Sequence, residues 1–252
     1  MIDIIKDSST RIKTGLILFL AALIIGYLDS YFIIWLTLGA LLVIALQESM
    51  KLFQMESQEI YYYSGALWFV AYFYPHAEDL FFILLLVYAS VLAYSKKLDK
   101  KIILPLLYPT ASFLFLLTLY AEFGIECLLW LLVIVAGTDI GAYFVGRSIG
   151  KTKFCETSPK KTLEGVAGGV VVAAILGTIF AIEPLSLFGA LIVSVGVSLS
   201  SVFGDLFESY LKREAGVKDS GDILPGHGGI LDRSDGFLFG AIVMLVILRA
   251  VI

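Results

Sequence analysis

Apolar runs of helical length follow one another along almost the whole chain, broken by short polar punctuation. Segmenting on charged and turn-forming residues places them at 14–28, 31–47, 60–75, 80–95, 102–121, 125–146, 165–182, 185–207 and 236–252. A hydrocarbon core of about 30 Å needs about 20 apolar residues per helix, with about 17 as the lower end. The expected fold is therefore all-α, a polytopic integral membrane protein of about nine transmembrane helices. The first two spans are parted only by Asp29 and Ser30, enough for a tight turn. Two connections are longer, at 147–164 and 208–235, and long loops among short ones are where function usually sits. There is no low-complexity linker and no repeat of the kind that builds inverted-repeat transporters. The chain reads as one membrane domain, with N-terminal helices over 1–130 and the two long loops among the helices of 131–252.

Composition sharpens this. The 252 residues are 59% hydrophobic and 16% charged, against about 45–50% and about 25% in soluble domains. No core of that size hides so much apolar surface, so lipid is the expected solvent. The N-terminus, MIDIIKDSSTRIK, lacks a small-residue cleavage site and reads as leading into a retained span. The net charge of −4 is small and the cations sit in loops, which argues against nucleic acid as a partner. Cys127 falls in an apolar run and Cys155 in a basic loop, so both are expected as unpaired thiols.

Charge also sets an orientation. With the N-terminus inside, the inner segments hold Lys6, Arg11, Lys13, Lys51, Lys96, Lys97, Lys100, Lys101, Arg147, Lys151, Lys153, Lys160, Lys161, Lys212, Arg213, Lys218 and Arg233. Arg249 alone lies towards the other side, while the outer turns hold Asp29, Glu78, Asp79, Glu122, Glu126 and Glu183. That is the asymmetry of the positive-inside rule. An odd number of spans then leaves the C-terminus outside.

Against this apolar background, a few polar residues stand out. Asp139 interrupts LLVIVAGTDIGAYFVG and Asp205 sits near the end of VSLSSVFGDLFES. Carboxylates at membrane depth are expensive and mark functional sites by default. Both lie towards the cytoplasmic ends of their spans, where one inward-open site can use them. The loop KREAGVKDSGDILPGHGGILDRSD is denser still. Its Pro225-Gly226-His227-Gly228-Gly229 run suits positive φ or close backbone approach, and exposed N–H groups in such a turn can cradle phosphate. Asp232 and Asp235, three apart, share a face if helical. With Asp205 they make an oxygen-rich set suited to Mg²⁺. The neighbouring Lys and Arg suit a phosphate-bearing substrate. His227 can serve as phosphate donor, general acid/base or structural hydrogen-bonder, and residue type does not choose. His76, beside Pro75 in an outer turn, reads as incidental. In the first loop, Ser158-Pro159-Lys160-Lys161-Thr162 sets adjacent cations before a helix, with Thr162 or Ser158 as the cap. Helix N-termini and lysines both attract phosphate.

The stretch from Ser209 to Asp235 resembles the signature of the phosphatidate cytidylyltransferases, or CDP-diacylglycerol synthases. Ser209, Lys212, Arg213, Lys218, Asp219, Gly221, Pro225, His227, Gly228, Gly229, Asp232, Arg233 and Asp235 carry it. The stretches Asp139–Arg147, Ser158–Gly165 and Gly204–Ser209 are similar to further motifs of the family. The resemblance covers about 135–250; earlier residues match only as hydrophobic spans. Ile140 stands where the family often has Thr, and Ser234 where an apolar residue or Thr is usual. The resemblance implies that CTP and phosphatidic acid give CDP-diacylglycerol and pyrophosphate, in phospholipid biosynthesis. It implies Mg²⁺, with a monovalent cation such as K⁺ beside it, and a homodimer. By position, Asp205 and Asp232 resemble the family's metal carboxylates, and Lys160, Lys161, Lys218 and Arg233 its phosphate binders. The catalytic set implied is Asp139, Lys218, Asp219, His227, Arg233 and Asp235. The substrate-binding set is Ser158, Lys160, Lys161, Lys212, Arg213, Gly228 and Gly229. The expected place is a bacterial inner membrane, with N-terminus and active site cytoplasmic.

Two other readings compete. A CTP-dependent polyprenol kinase would release CDP instead of pyrophosphate. A transporter would use Asp139 and Asp205 for a coupling ion, but the polar residues gather on one side and no polar path crosses the spans.

Overall fold

The computed structural model describes residues 2–96 and 98–252, with side chains from Lys13 onward. Of the cations expected on the inner side, Lys97 and the side chains of Lys6 and Arg11 thus lie outside the described residues. Helices follow in the order α1 (Ile2–Leu28), α2 (Tyr31–Leu52), α3 (Glu59–Ala71), α4 (Asp79–Ser95), α5 (Ile103–Pro105), α6 (Ser112–Ile149), α7 (Leu163–Ile179), α8 (Leu187–Glu214) and α9 (Leu231–Val251). A 3₁₀ turn (Lys100–Ile102) and a π turn (Leu106–Ala111) flank α5. No strand forms among the described residues, only isolated bridges at Lys153–Thr162 and Leu224–Gly228.

Among the described residues, four helical stretches are long and apolar enough to cross a membrane: Tyr31–Leu52, Lys100–Ile149, Leu187–Glu214 and Leu231–Val251. Lys13–Leu28, Asp79–Ser95 and Leu163–Ile179 are shorter apolar helices. Many large apolar side chains stay exposed, among them Ile17, Phe19, Leu86, Phe144, Ile175 and Phe188. Water would not tolerate so broad an apolar surface, and lipid does. The chain is a membrane protein.

Several expected boundaries hold, for stated reasons. Asp29, with φ of 38°, and Ser30 turn the chain between α1 and α2. The expected gap between 121 and 125 falls at Gly124, whose φ of 74° and ψ of −174° break α6. That backbone region is essentially open to glycine alone. Other boundaries move. The expected span at 60–75 is a helix of 13 residues, rising only about 20 Å. The long stretch at 102–121 is irregular at its start, where Tyr108 leaves helical geometry beside Pro109. The second long loop is 215–230 rather than 208–235, because α8 continues to Glu214 and α9 begins at Leu231. Segmenting on charge ends a span where hydrophobicity ends, whereas backbone hydrogen bonding carries the helix on.

The residues pack as two compact units: Met1–Leu117 with Glu214–Arg233, and Thr118–Arg213 with Ser234–Ile252. Residues 214–233 thus pack with the N-terminal helices. In the first unit, Ile34, Leu42, Leu46, Ile60, Leu106 and Leu114 are buried. The Trp35 and Trp68 indoles donate to one another's carbonyls at 2.9 and 3.3 Å. In the second unit, small residues let helices approach closely. Gly165, Gly169, Ala173 and Gly177, spaced by four on α7, are all buried. A Cβ on Gly169 would lie 2.6 Å from the Thr138 carbonyl of α6. Lipid gives no hydrophobic drive to helix association, so such contacts and interhelical hydrogen bonds carry it. The Thr138 hydroxyl meets Ser198 of α8 at 2.8 Å, and the Trp130 indole donates to the Gly177 carbonyl at 2.6 Å. At one end, Arg249 forms a two-pronged pair with Glu122. Arg249, the cation expected on the outer side, is therefore neutralised by Glu122.

Candidate active site

In the second unit, a cavity of about 500 Å³ opens between α6, α7, α8 and the 150–162 loop. Asp139, Tyr143 and Arg147 of α6, Lys160 and Lys161 of the loop, and Asp205 of α8 line it. On α6, Asp139, Tyr143 and Arg147 recur every fourth residue, so one helix face presents all three. Arg147 donates to the Tyr143 hydroxyl at 2.7 Å and lies 5.9 Å from its ring centre.

The loop that carries the lysines is a hairpin. Lys161 N–H donates to the Ser158 carbonyl at 3.0 Å, and Phe154 N–H to the Lys161 carbonyl at 2.9 Å. Pro159 occupies the second position of that turn, where its fixed φ fits. Thr162 caps α7, accepting from Gly165 N–H at 3.1 Å, so Thr162 and not Ser158 is the cap. Glu164 reaches back and accepts from Lys151 N–H, Thr152 N–H and the Thr152 hydroxyl at 2.8–3.2 Å. It stands ahead of the apolar span at 165–182. Its own backbone N–H first, then the Thr152 hydroxyl and Lys151 N–H, pull its carboxyl down to about 2. The clamp holds the hairpin so that Lys161 meets Asp205, Nζ to Oδ2, at 2.6 Å.

Around Asp205 lie further acids. Asp235 hydrogen-bonds Glu208 and feels the charge of Asp205 and Asp139. Glu208 is fully buried and pairs with Lys212 at 3.3 Å. Asp139, Asp205 and Asp235 offer carboxylate oxygens, the hard donor type that suits Mg²⁺. The residues present thus fit the metal that the resemblance implies. Glu208 was overlooked as a site residue; its signal was a second acid in GDLFES, one turn after Asp205.

In the first unit, loop 215–230 is organised by two carboxylates. Asp232 Oδ2 accepts from Ser220 N–H, the Ser220 hydroxyl and Gly229 N–H at 2.8, 2.9 and 2.8 Å. Glu48 of α2, only 3% exposed, accepts from Ile230 N–H at 3.0 Å, Leu231 N–H at 2.8 Å and the Ser220 hydroxyl at 3.1 Å. The PGHGG element is a tight turn: His227 N–H donates to the Leu224 carbonyl, and Leu224 N–H to the Gly228 carbonyl. Gly228 takes φ of 84° there. A Cβ on Gly229 would lie 2.5 Å from the Glu48 oxygens. The close approach expected of these glycines is thus to Glu48 and Asp232. Gly229 N–H, expected to serve phosphate, is spent on Asp232 in this conformation. The His227 carbonyl accepts from Arg233 Nε at 2.9 Å. Its Nδ1 is buried with no hydrogen-bond partner among the described residues. Lys218 and Asp219 are exposed on the loop.

The predicted residues therefore fall in two groups. Asp139, Lys160, Lys161 and Asp205 line one cavity, with Asp235 beside Asp205 and Asp139. Ser158 closes the turn that presents the lysines. Lys212 and Arg213 stand in the last turn of α8, not in the loop. Lys218, Asp219, His227, Gly228, Gly229, Asp232 and Arg233 belong to the loop and the α9 start in the first unit.

The sequence profile of the family described as cytidylyltransferases matches residues 9–251. The chain belongs to that family. A phosphatidate cytidylyltransferase of Helicobacter pylori strain J99 is 44% identical over 249 residues, covering 98% of this chain and 93% of the relative. One of Bacillus subtilis is 50% identical over 122 residues, 47% of this chain and 45% of the relative. One of Thermotoga maritima is 39% identical over 153 residues, 57% of each. Membership of the cytidylyltransferase family covers nearly the whole chain, including the N-terminal spans, where only hydrophobicity was legible. Glu48 lies in that newly covered part.

Proposed function

We infer that the protein is a CTP:phosphatidate cytidylyltransferase that makes CDP-diacylglycerol and pyrophosphate in phospholipid biosynthesis. The observation that carries this is the cavity joining Lys160, Lys161 and Arg147 with Asp139 and Asp205 in a membrane protein of the cytidylyltransferase family. Phosphatidate is anchored by its acyl chains, so its phosphate must be met at the membrane surface, and CTP arrives from water. A phosphatidate oxygen attacks the α-phosphorus of CTP, forming one P–O bond as the α–β bridge breaks and pyrophosphate leaves. That oxygen is largely deprotonated at neutral pH, so no strong base is needed, and positioning and charge screening carry the rate.

Lys160 and Lys161 bind phosphate from the hairpin, and Arg147 faces the same cavity from α6. Asp205 and Asp232 are the carboxylates assigned to Mg²⁺, with K⁺ as the further cation; the assignment rests on their places in the family motifs. Bound Mg²⁺ would screen phosphate charge. Lys218 and Arg233 are assigned to phosphate on the same ground, and Asp139 and Asp235 to the catalytic carboxylates. The topology proposed has nine spans, with N-terminus and active site on the cytoplasmic face of a bacterial inner membrane. A homodimer is proposed from the family resemblance alone.

The test is purified protein with phosphatidic acid, Mg²⁺ and CTP labelled at the α or the γ phosphate. Transfer of α-label to lipid with γ-label released as pyrophosphate is expected. Asp205→Asn and Asp232→Asn should each lower the rate by about a hundredfold or more. Label from the γ position entering a polyprenol would make the protein a kinase instead.

A further inference from the structure

We infer that Glu48, in the N-terminal half and outside every signature motif, is a positioning residue for the cytidylyl transfer: it sets the orientation of Asp232 through Ser220 and the first turn of α9. The inference rests on the reaction proposed above and on Asp232 as a metal carboxylate.

Glu48 is a carboxylate in a membrane-spanning helix, buried to 3% exposure. Burying it in an apolar layer is costly unless its oxygens are satisfied. They are satisfied by one target. Oε1 takes Ile230 N–H and Oε2 takes Leu231 N–H, at 3.0 and 2.8 Å. Both donors lie at the N-terminus of α9, where unsatisfied N–H groups and the helix dipole favour a negative partner. Asp232 is the next residue along that helix.

The second link is the Ser220 hydroxyl. It lies 3.1 Å from Glu48 Oε2 and 2.9 Å from Asp232 Oδ2. A hydroxyl has one hydrogen, so the two carboxylates share it, and neither can move without disturbing the other. Ser220 N–H and Gly229 N–H complete the hold on the same Oδ2. The glycines fit this arrangement: a Cβ on Gly221 or Gly229 would lie 2.5 Å from a Glu48 oxygen. One buried acid on α2 therefore fixes both the backbone that starts α9 and the hydroxyl that fixes Asp232. A residue that only anchored a loop would not need to share its donor with the proposed metal carboxylate.

The experiment uses the full-length protein in detergent, with Mn²⁺ as the probe, its binding read by electron paramagnetic resonance without substrates. Glu48→Gln keeps the volume but offers one acceptor oxygen and turns an amide donor towards N–H groups. It should raise the Mn²⁺ dissociation constant about tenfold and lower kcat by about tenfold to a hundredfold, as outer-shell changes at metal sites do. Glu48→Asp, which keeps both oxygens, should recover part of each loss. Leu42→Ala, in the core of the same helix, is the control: it should lower thermal stability and leave Mn²⁺ affinity unchanged. Mn²⁺ affinity that is the same in Glu48→Gln as in wild type, or that falls no further than in Leu42→Ala, overturns the inference. So does a wild type that binds no Mn²⁺. A wild type that binds Mn²⁺, loses that affinity on Glu48→Gln and transfers no cytidylyl group would overturn the reaction instead, and leave the positioning standing.

Discussion

Glu164 and His227 show how single side chains act here through the backbone around them. Glu164 ties Lys151 and Thr152 to the start of α7, and those bonds hold its carboxyl near 2, below the usual 4.5. A depressed carboxyl stabilises the fold fully above its unfolded value, and loses that contribution as pH falls through the folded value. Hydrogen-exchange protection of residues 150–162, with the intrinsic pH dependence of exchange divided out, should therefore be full above about 4.5 and fall progressively as pH drops towards about 2. Glu164→Gln should remove that acid-dependent step. The backbone of His227 is fully engaged, its N–H by Leu224 and its carbonyl by Arg233. Those bonds fix the turn that carries the imidazole, and a direct attack of phosphatidate on CTP needs no covalent step on it. His227→Asn should keep measurable cytidylyl transfer in the labelled-CTP assay; complete loss, together with ³²P on His227 of the wild type, would restore the phosphohistidine route.

Among the helices, α7 shows what packing demands in lipid. Its buried face of Gly165, Gly169, Ala173 and Gly177 lets α6 and α8 approach at backbone distance. Gly169→Leu would push a side chain into the Thr138 carbonyl, and overpacking of this kind costs about 1–3 kcal/mol or more. A lower thermal midpoint and a parallel loss of activity are expected, because α6 and α7 also wall the cavity. Gly65→Leu is the comparison: no heavy atom lies within 4 Å of the added Cβ, and little change is expected. The α8 and α9 helices show the opposite lesson about charge. They extend past their apolar cores to Glu214 and back to Leu231, so residues that read as loop are presented by rigid turns.

For the whole molecule, the inside-basic charge pattern makes a prediction about sides. Cys155 sits half-buried in the lysine hairpin and Cys127 is buried. A membrane-impermeant maleimide should label Cys155 in inverted membrane vesicles but not in intact cells, and Cys155→Ser should abolish the labelling. Labelling from the outside of intact cells would invert the topology. The two compact units also explain where the signature residues lie: its loop packs with N-terminal helices, while the cavity belongs to α6, α7 and α8.

How much of this was legible follows from what each feature depends on. Hydrophobic runs report the solvent, so the membrane class and all-helical fold were written in the sequence. The same holds for the Asp29-Ser30 turn and the break at Gly124, which depend on local chemistry. The family signature named Asp205, Lys161, Asp232 and the glycine turn, because substrates and ions demand particular groups at particular spacings. The role of Glu48 was not legible. It lies 172 residues from Ser220 along the chain, and an acid at the edge of an apolar run looks like ordinary punctuation. Nor did spacing show that Gly229 N–H is held by Asp232, or that Glu208 lies beneath Asp235. Those facts belong to partners brought together by packing, and a buried polar group is defined by its partners. Sequence by itself determined the solvent and the all-helical class; tertiary structure decided which carboxylates are bound by backbone donors and which face the cavity, because those partners are far apart along the chain.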